Sequence, residues 1–359
     1  MSDLISYNPP GASLLMLPFA GLGLAGARLG WTLFNLLLLA ASLRLIMAAL
    51  PRSAGLGFRA GFLALAFSFA PLAENFRVGQ VYMLLLFLVA LVFWGLARSR
   101  PALTGVALAA AALAKLGGGP IWLILALRGR RRELVSGVLA SCGLFLLSLI
   151  VTGWAGWRAF IESMPAHLSY TPWAAHLAFQ ATPSFFQHLL VADAEWNPKP
   201  LWNQPWLASP LTLGAAIVLV VSLWRCRRAD WDLLLGIAIT LGVIAFPLAE
   251  EYHYALLLLP LAVIASRIAG SPAAPEVVWL GAVVILLAAP WPYTSPALND
   301  GWAALLAYPR LYGGWLAWGL LLRCSAKVSR PSRRRSSREI APERSIEEDQ
   351  CVDRLTSIS

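Results

Sequence analysis

Apolar runs follow one another along nearly the whole chain, and no other feature narrows its possible folds so far. They fall at about 11–26, 29–50, 58–73, 79–97, 102–127, 134–152, 207–224, 231–249, 253–268, 276–290 and 302–322. A bilayer core of roughly 30 Å asks for about 17–25 apolar residues per helical span. In lipid, only segments that satisfy their own backbone hydrogen bonds can cross. Composition agrees, with 59% of the 359 residues hydrophobic and 13% charged, about half the charge of a soluble domain. The expectation is an all-α polytopic integral membrane protein: a bundle of about nine full spans plus re-entrant half-helices, with one large outer-face loop.

The net charge of +10 has the sign of a nucleic-acid binder, but its placement argues otherwise. Arg52, Arg59, Arg98, Arg100, Arg128 to Arg132, Arg225, Arg227, Arg228, Arg267 and Arg323 sit in short connections between apolar runs or at the ends of those runs. That is where the positive-inside rule puts cytoplasmic arginines, so membrane lipids are the expected partner and nucleic acid is not. The intervening connections, "ENFRVGQ", the segment 153–207, "AEEYHY" and "PWPYTSPALNDG", then fall on the outer face of a plasma-membrane protein. Residues 1–323 form the membrane domain. Residues 324–359, polar, charged and without periodicity, read as a disordered cytoplasmic tail in which Arg333 to Arg335 meet anionic lipid. Cys142, Cys226, Cys324 and Cys351 form no C-x-x-C pair, so neither a zinc site nor a disulfide framework is expected. No basic region precedes the first apolar run, so no cleavable leader is expected.

One stretch breaks the alternation of sides. Only 27 residues separate Arg100 from Arg128, too few for two crossings, whereas one crossing would strand an arginine cluster outside. A re-entrant hairpin of two half-helices turning at Lys115–Pro120 resolves the conflict. A lysine at membrane depth is costly unless it meets an anion, so Lys115 is expected to face something negative in a cavity open to the outer face.

Other candidates sit at the outer ends of apolar runs. "LAENFRVGQVYMLL" carries Glu74, Asn75, Arg77 and Gln80, and "FPLAEEYHYALLLLP" carries Glu250, Glu251 and His253. A carboxylate beside an imidazole can take a proton from a hydroxyl while a cation faces a phosphate. The structural alternative is that these are solvated helix ends. The outer segment holds His167, His176 and His188 and many tryptophans, which serve as interfacial anchors, and "WRAFIESMPAHL" reads as an interfacial helix. No histidine pair has metal-ligand spacing. Asp193 with Glu195 and Asp230 with Asp232 resemble acidic metal pairs, but the latter two are expected to cap a helix start. No metal and no other cofactor is expected.

Together these segments resemble the polytopic glycosyltransferases of family 87, in the GT-C superfamily that includes polyprenol-phosphate-mannose-dependent mannosyltransferases. "YNPPGASLLMLPFAGL" is similar to the family's Y-x-P-P stretch, with Tyr7, Pro9, Pro10 and Pro18 in place. "NFRVGQVYMLLLFLVAL" is similar to its N-x-x-x-G-Q signature, here Asn75, Gly79 and Gln80. "GVALAAAALAKLGGGP" resembles its A-A-x-K-x-x-P segment, with Pro120 displaced by extra glycines, and "EYHYALLLLP" resembles its late H-x-x-x-x-L-P element, with His253 and Pro260.

The resemblance implies a hexosyltransferase that moves mannose or another hexose from a polyprenyl-phosphate donor to a glycolipid or glycan acceptor outside. Lys115, Arg77 and His253 would hold the donor phosphate, and Asn75, Gln80 and Tyr7 the donor or acceptor. Family members carry a further first helix and then an outer loop whose acid is thought to be the base. Here the Y-x-P-P stretch begins at residue 7 and Asp3 is too close to stand for that acid, so Glu251, Glu250 or Glu74 is expected to supply it. The alternatives are a flippase or transporter of lipid-linked sugars, or an inactive truncated relative.

Overall fold

In the computed structural model, the structure describes residues 8–50, 55–115, 118–168, 175–270 and 272–328, without the side chains of 165–168. Tyr7, Asp3, Cys351 and the tail from residue 329 lie outside these residues. The described residues are helical and contain no strand, only an isolated bridge between Asp193 and Asn197.

Two short 3-10 turns, Pro10–Leu15 and Leu17–Phe19, open the described chain. The apolar run at 11–26 is therefore not a span. Pro10 and Pro18 stand in the first turns of these pieces, where a missing N–H and a fixed φ are tolerated, but they block a continuous helix. Thirteen α-helices follow: α1 Leu24–Ala49, α2 Leu56–Ser68, α3 Ala70–Val78, α4 Tyr82–Ala97, α5 Pro101–Lys115, α6 Gly119–Leu127, α7 Arg131–Leu168, α8 Thr182–Leu190, α9 Pro205–Arg225, α10 Trp231–Ile244, α11 Leu258–Gly270, α12 Ala274–Ala288 and α13 Pro309–Val328. A 3-10 turn, Glu251–Leu257, runs directly into α11.

Four stretches are long and apolar enough to cross a membrane: α1, α7, α9 and the 20-residue Glu251–Gly270. α2 and α3, bent 42° to one another, would make a fifth. α4, α5, α10 and α12 are apolar but only 14–16 residues long. Helix length thus supports a membrane protein without establishing the expected count of about nine spans. The outward faces are apolar too. Val135, Val138, Leu139, Leu146 and Ile150 of α7, with Leu213, Ile217 and Val218 of α9, are all exposed. Water-facing helices would carry polar side chains there. The protein interior is built from α4, α10 and α11, whose apolar side chains are nearly all buried.

The alanine-rich α5 sits between α4 and α7 because its small residues let backbones close in. A Cβ on Gly105 would stand 2.6 Å from the Glu133 carbonyl and 2.5 Å from the Gly137 nitrogen of α7. Gly118, at φ 87°, separates α5 from α6, and Pro120 stands in the first turn of α6. The break falls where the sequence predicts it, and neither piece, 15 and 9 residues long, reaches across roughly 30 Å alone.

α7 bends at Gly153 (φ 68°, ψ 169°) into the helix expected along the interface. The basic loops meet at one end of the bundle. Arg128 donates to the carbonyls of Arg227 and Ala229 and lies over the Trp231 ring. Asp230 and Asp232 pair with Arg267 at 2.9 and 2.6 Å. Asp230 occupies the N-cap position of α10 without a side-chain capping bond, so the arginine rather than the helix end takes these carboxylates.

Candidate functional site

The distal ends of three separate sequence segments converge. α3 ends in a left-handed turn at Gly79 (φ 68°), a conformation glycine adopts without a Cβ penalty. The Asn75 carbonyl accepts the Gln80 N–H at 3.2 Å, closing the helix in the way such C-caps do. The Asn75 side chain is buried, and its Oδ1 accepts the Tyr82 N–H at 3.1 Å, supplying an acceptor for a first-turn donor of α4. The N-x-x-x-G-Q spacing is thus a helix–turn–helix joint, which delivers Tyr82 to the interior.

Lys115 ends α5 over that residue. Its Nζ lies 5.3 Å from the Tyr82 ring centre and 5.8 Å from that of Tyr252, within range of the attraction between a cation and a ring face. No carboxylate among the described residues forms an ion pair with it; Glu250 acts on it only at longer electrostatic range.

The third segment is the turn 250–257. His253 is sandwiched among aromatic rings, 4.4 Å from Tyr82, 4.7 Å from Tyr252 and 5.4 Å from Phe246 between centres. Its Nδ1 accepts the Glu250 N–H at 3.0 Å, so Nε2 carries the ring proton in either protonation state. That Nε2 is buried and has no partner among the described residues, and Asn75 Nδ2 is in the same condition. Buried donors are ordinarily paired, so these two stand out among the polar atoms of the interior.

The expected acids separate into distinct roles. Glu74 binds Arg77 in a two-pronged pair, both bonds at 2.6 Å, on the exposed side of α3. Arg77 is 73% exposed, so those two candidates engage each other. Glu251 is ion-paired with the buried Arg310 and accepts the Tyr293 hydroxyl at 3.0 Å. Glu250 accepts the Tyr252 hydroxyl at 2.7 Å and acts electrostatically on Lys115, His176 and Tyr82. Gln80 is held through its backbone, and its side chain joins none of these bonds. Tyr7 lies outside the described residues, but the turn that follows it packs on α5: a Cβ on Gly11 would fall 2.3 Å from Leu113.

The segment between α7 and α9 closes over this turn through Gln180. Its N–H donates to the Ala249 carbonyl at 2.7 Å, its carbonyl accepts the Tyr254 hydroxyl, and its amide donates to the Ala307 carbonyl at 2.8 Å. His188 is buried, accepting from Tyr308 at 3.0 Å and donating to the Asn299 carbonyl at 2.9 Å. Burial holds its imidazole below the ordinary histidine range. His176, also lowered by burial, is drawn back upward by Glu250. Sequence reading passes over Tyr82, Tyr252, Gln180, Tyr293 and Arg310. Only Arg310 carried a signal, a charge inside an apolar run. Among the described residues no group of histidines, cysteines and acids could hold a metal.

These features describe a helical protein, with apolar helices long enough to cross a membrane, in which Lys115, Tyr82 and the turn carrying His253 come together. The family model described as glycosyltransferase family 87 matches residues 7–248, about two thirds of the chain, so the chain belongs to glycosyltransferase family 87. Membership makes it a glycosyltransferase that takes a sugar donor and an acceptor. No curated protein and no solved structure matches it.

Proposed function

We propose that this chain transfers mannose or another hexose from a polyprenyl-phosphate donor to a glycolipid or glycan acceptor on the outer face of the cell membrane. The observation that carries the reading is the meeting of Lys115 with the orphaned Nε2–H of His253, beside Glu250. The donor's phosphodiester supplies the negative oxygens that both donors call for, and its polyprenyl chain belongs in the lipid that the apolar outer helices already face. Asn75 Nδ2 is placed to donate to the donor or acceptor.

In the transfer, the acceptor hydroxyl oxygen bonds to the anomeric carbon from the side opposite the phosphate. The bond from that carbon to the phosphate oxygen breaks, and the polyprenyl phosphate leaves with the electron pair. Glu250 takes the hydroxyl proton. Lys115 and His253 hold the charge that grows on the departing phosphate, which is where fixed electrostatics contribute most to such reactions. The remaining acids are engaged elsewhere, Glu74 with Arg77 and Glu251 with Arg310.

Transfer from radiolabelled polyprenyl-phosphate sugars in membranes carrying the chain tests the reading. The wild type should transfer label, and Lys115→Ala should lose about 100-fold or more of the rate. Bound donor with no transfer by the wild type would overturn it in favour of a lipid-linked sugar flippase.

A further inference from the structure

Arg310 stands at the second position of α13, wholly buried, within a run that reads as apolar. Its guanidinium is held through both Nη groups, while its buried Nε has no partner among the described residues. Nη2 donates to the Glu251 carboxylate, and Nη1 donates to the carbonyls of Leu286 and Leu287 at 3.0 and 2.8 Å. Those carbonyls belong to the last turn of α12, where a helix leaves its acceptors unpaired. The Arg310 N–H donates to Gln180 Oε1 at 3.3 Å. The second Glu251 oxygen accepts the Tyr293 hydroxyl. The side chain therefore ties α13 to the end of α12 and to the first residue of the turn that carries His253, and the backbone N–H of the same residue adds Gln180.

An arginine does not shed its proton in a protein, so this buried pair stays ionic, and both oxygens of Glu251 are occupied. Its neighbour Glu250 has no ion pair among the described residues: its side chain accepts the Tyr252 hydroxyl and, as the N-cap of the turn, the His253 N–H, and its field falls on Lys115, His176 and Tyr82. Arg310 and the whole turn lie beyond residue 248, where the family match ends.

We propose that Arg310 is a positioning residue for sugar transfer: by clamping Glu251 against Tyr293 and the end of α12, it fixes the turn Glu250–His253 and leaves Glu250, not Glu251, to meet the acceptor hydroxyl. The inference rests on the transferase reading above. Arg310 touches neither substrate in this account; it acts through the backbone of the turn.

The test uses the full chain in liposomes with labelled polyprenyl-phosphate sugar, comparing wild type, Arg310→Lys, Arg310→Gln and the double variant Arg310→Gln/Glu251→Gln. Arg310→Gln should lower kcat about tenfold or more while KM for the donor moves less than about threefold. Arg310→Lys should recover much of the loss. The double variant should outperform Arg310→Gln, because the stranded carboxylate is gone. Equal losses in kcat and 1/KM, or a double variant no better than the single one, would overturn the proposal. Hydrogen exchange supplies a readout that needs no donor: in Arg310→Gln, faster exchange should be confined to residues 249–257. Faster exchange spread along α12 and α13 would show a merely structural role. If the wild type transfers no sugar, the transferase reading falls, and the exchange pattern still decides whether the clamp exists.

Discussion

His253 shows how a single ring can be specified by its surroundings. The Glu250 N–H occupies Nδ1, so the free edge of the imidazole is a donor whatever its charge. His253→Ala should cut transfer about 100-fold at saturating acceptor, whereas Tyr252→Phe, which only releases Glu250 from one bond, should cost less than about tenfold; steady-state rates in liposomes check both. His188 makes a different, structural prediction. Its protonation is disfavoured in the fold by burial and by the nearby His176, with the Asn299 carbonyl and Asp300 working the other way. The unfolded chain therefore binds the proton more readily. Stability should be complete above about pH 6.5 and should decline as the pH falls below it. The unfolding midpoint in detergent should drop between pH 7.5 and 5.5, and less so in His188→Gln. A drop of equal size in the variant would remove His188 as the cause. His176, shifted the same way, contributes to what remains of the slope.

Among the helices, the pairing of α5 with its break is the arrangement on which the site depends. Lys115 reaches Tyr82 because α5 lies close on α7 and α4, and that closeness needs Gly105. Gly105→Leu pushes a side chain into the backbone of α7 and should destabilise the fold by about 1–3 kcal/mol, read as a lower melting temperature with transfer activity falling in parallel. Gly118 adopts φ 87°, and a Cβ there would stand 2.7 Å from Leu108. Gly118→Ala adds a strain of roughly 1–2 kcal/mol and should displace Lys115 more than it lowers the melting temperature. A variant melting like wild type but transferring sugar at well under half its rate is the expected outcome; unchanged activity would separate the glycine from the site. The element boundaries here were legible in advance because Lys115, the glycines and Pro120 interrupt a regular apolar pattern. The first run at 11–26 was read as one segment, and its prolines divided it into two 3-10 turns.

For the whole bundle, the two ends differ in kind. One gathers Arg128, Arg130, Asp230, Asp232 and Arg267 around Trp231; the other gathers the site and the outer segment. If the arginine-rich end is cytoplasmic, a cysteine at Asp193 should react with a membrane-impermeant maleimide in intact cells, and one at Arg130 only after permeabilisation. The reverse pattern would invert the topology and move the site to the cytoplasm. Residue types and spacing in the sequence by themselves determined the membrane class, the family and most of the candidate residues, since hydropathy periods and local motifs are properties of contiguous chain. Asn75, Lys115 and His253 were each visible as polar residues where lipid disfavours them. Only the tertiary structure decided which of them lie near one another. Glu74, Glu250 and Glu251 look alike in residue type. Glu74 has its partner Arg77 one helical step along the chain, whereas Glu251 is set apart by the distant Arg310 and Glu250 by its Lys115–Tyr252 surroundings. A carboxylate's role follows from the charges and hydrogen bonds around it, and those are set by packing between helices, which one-dimensional spacing does not encode.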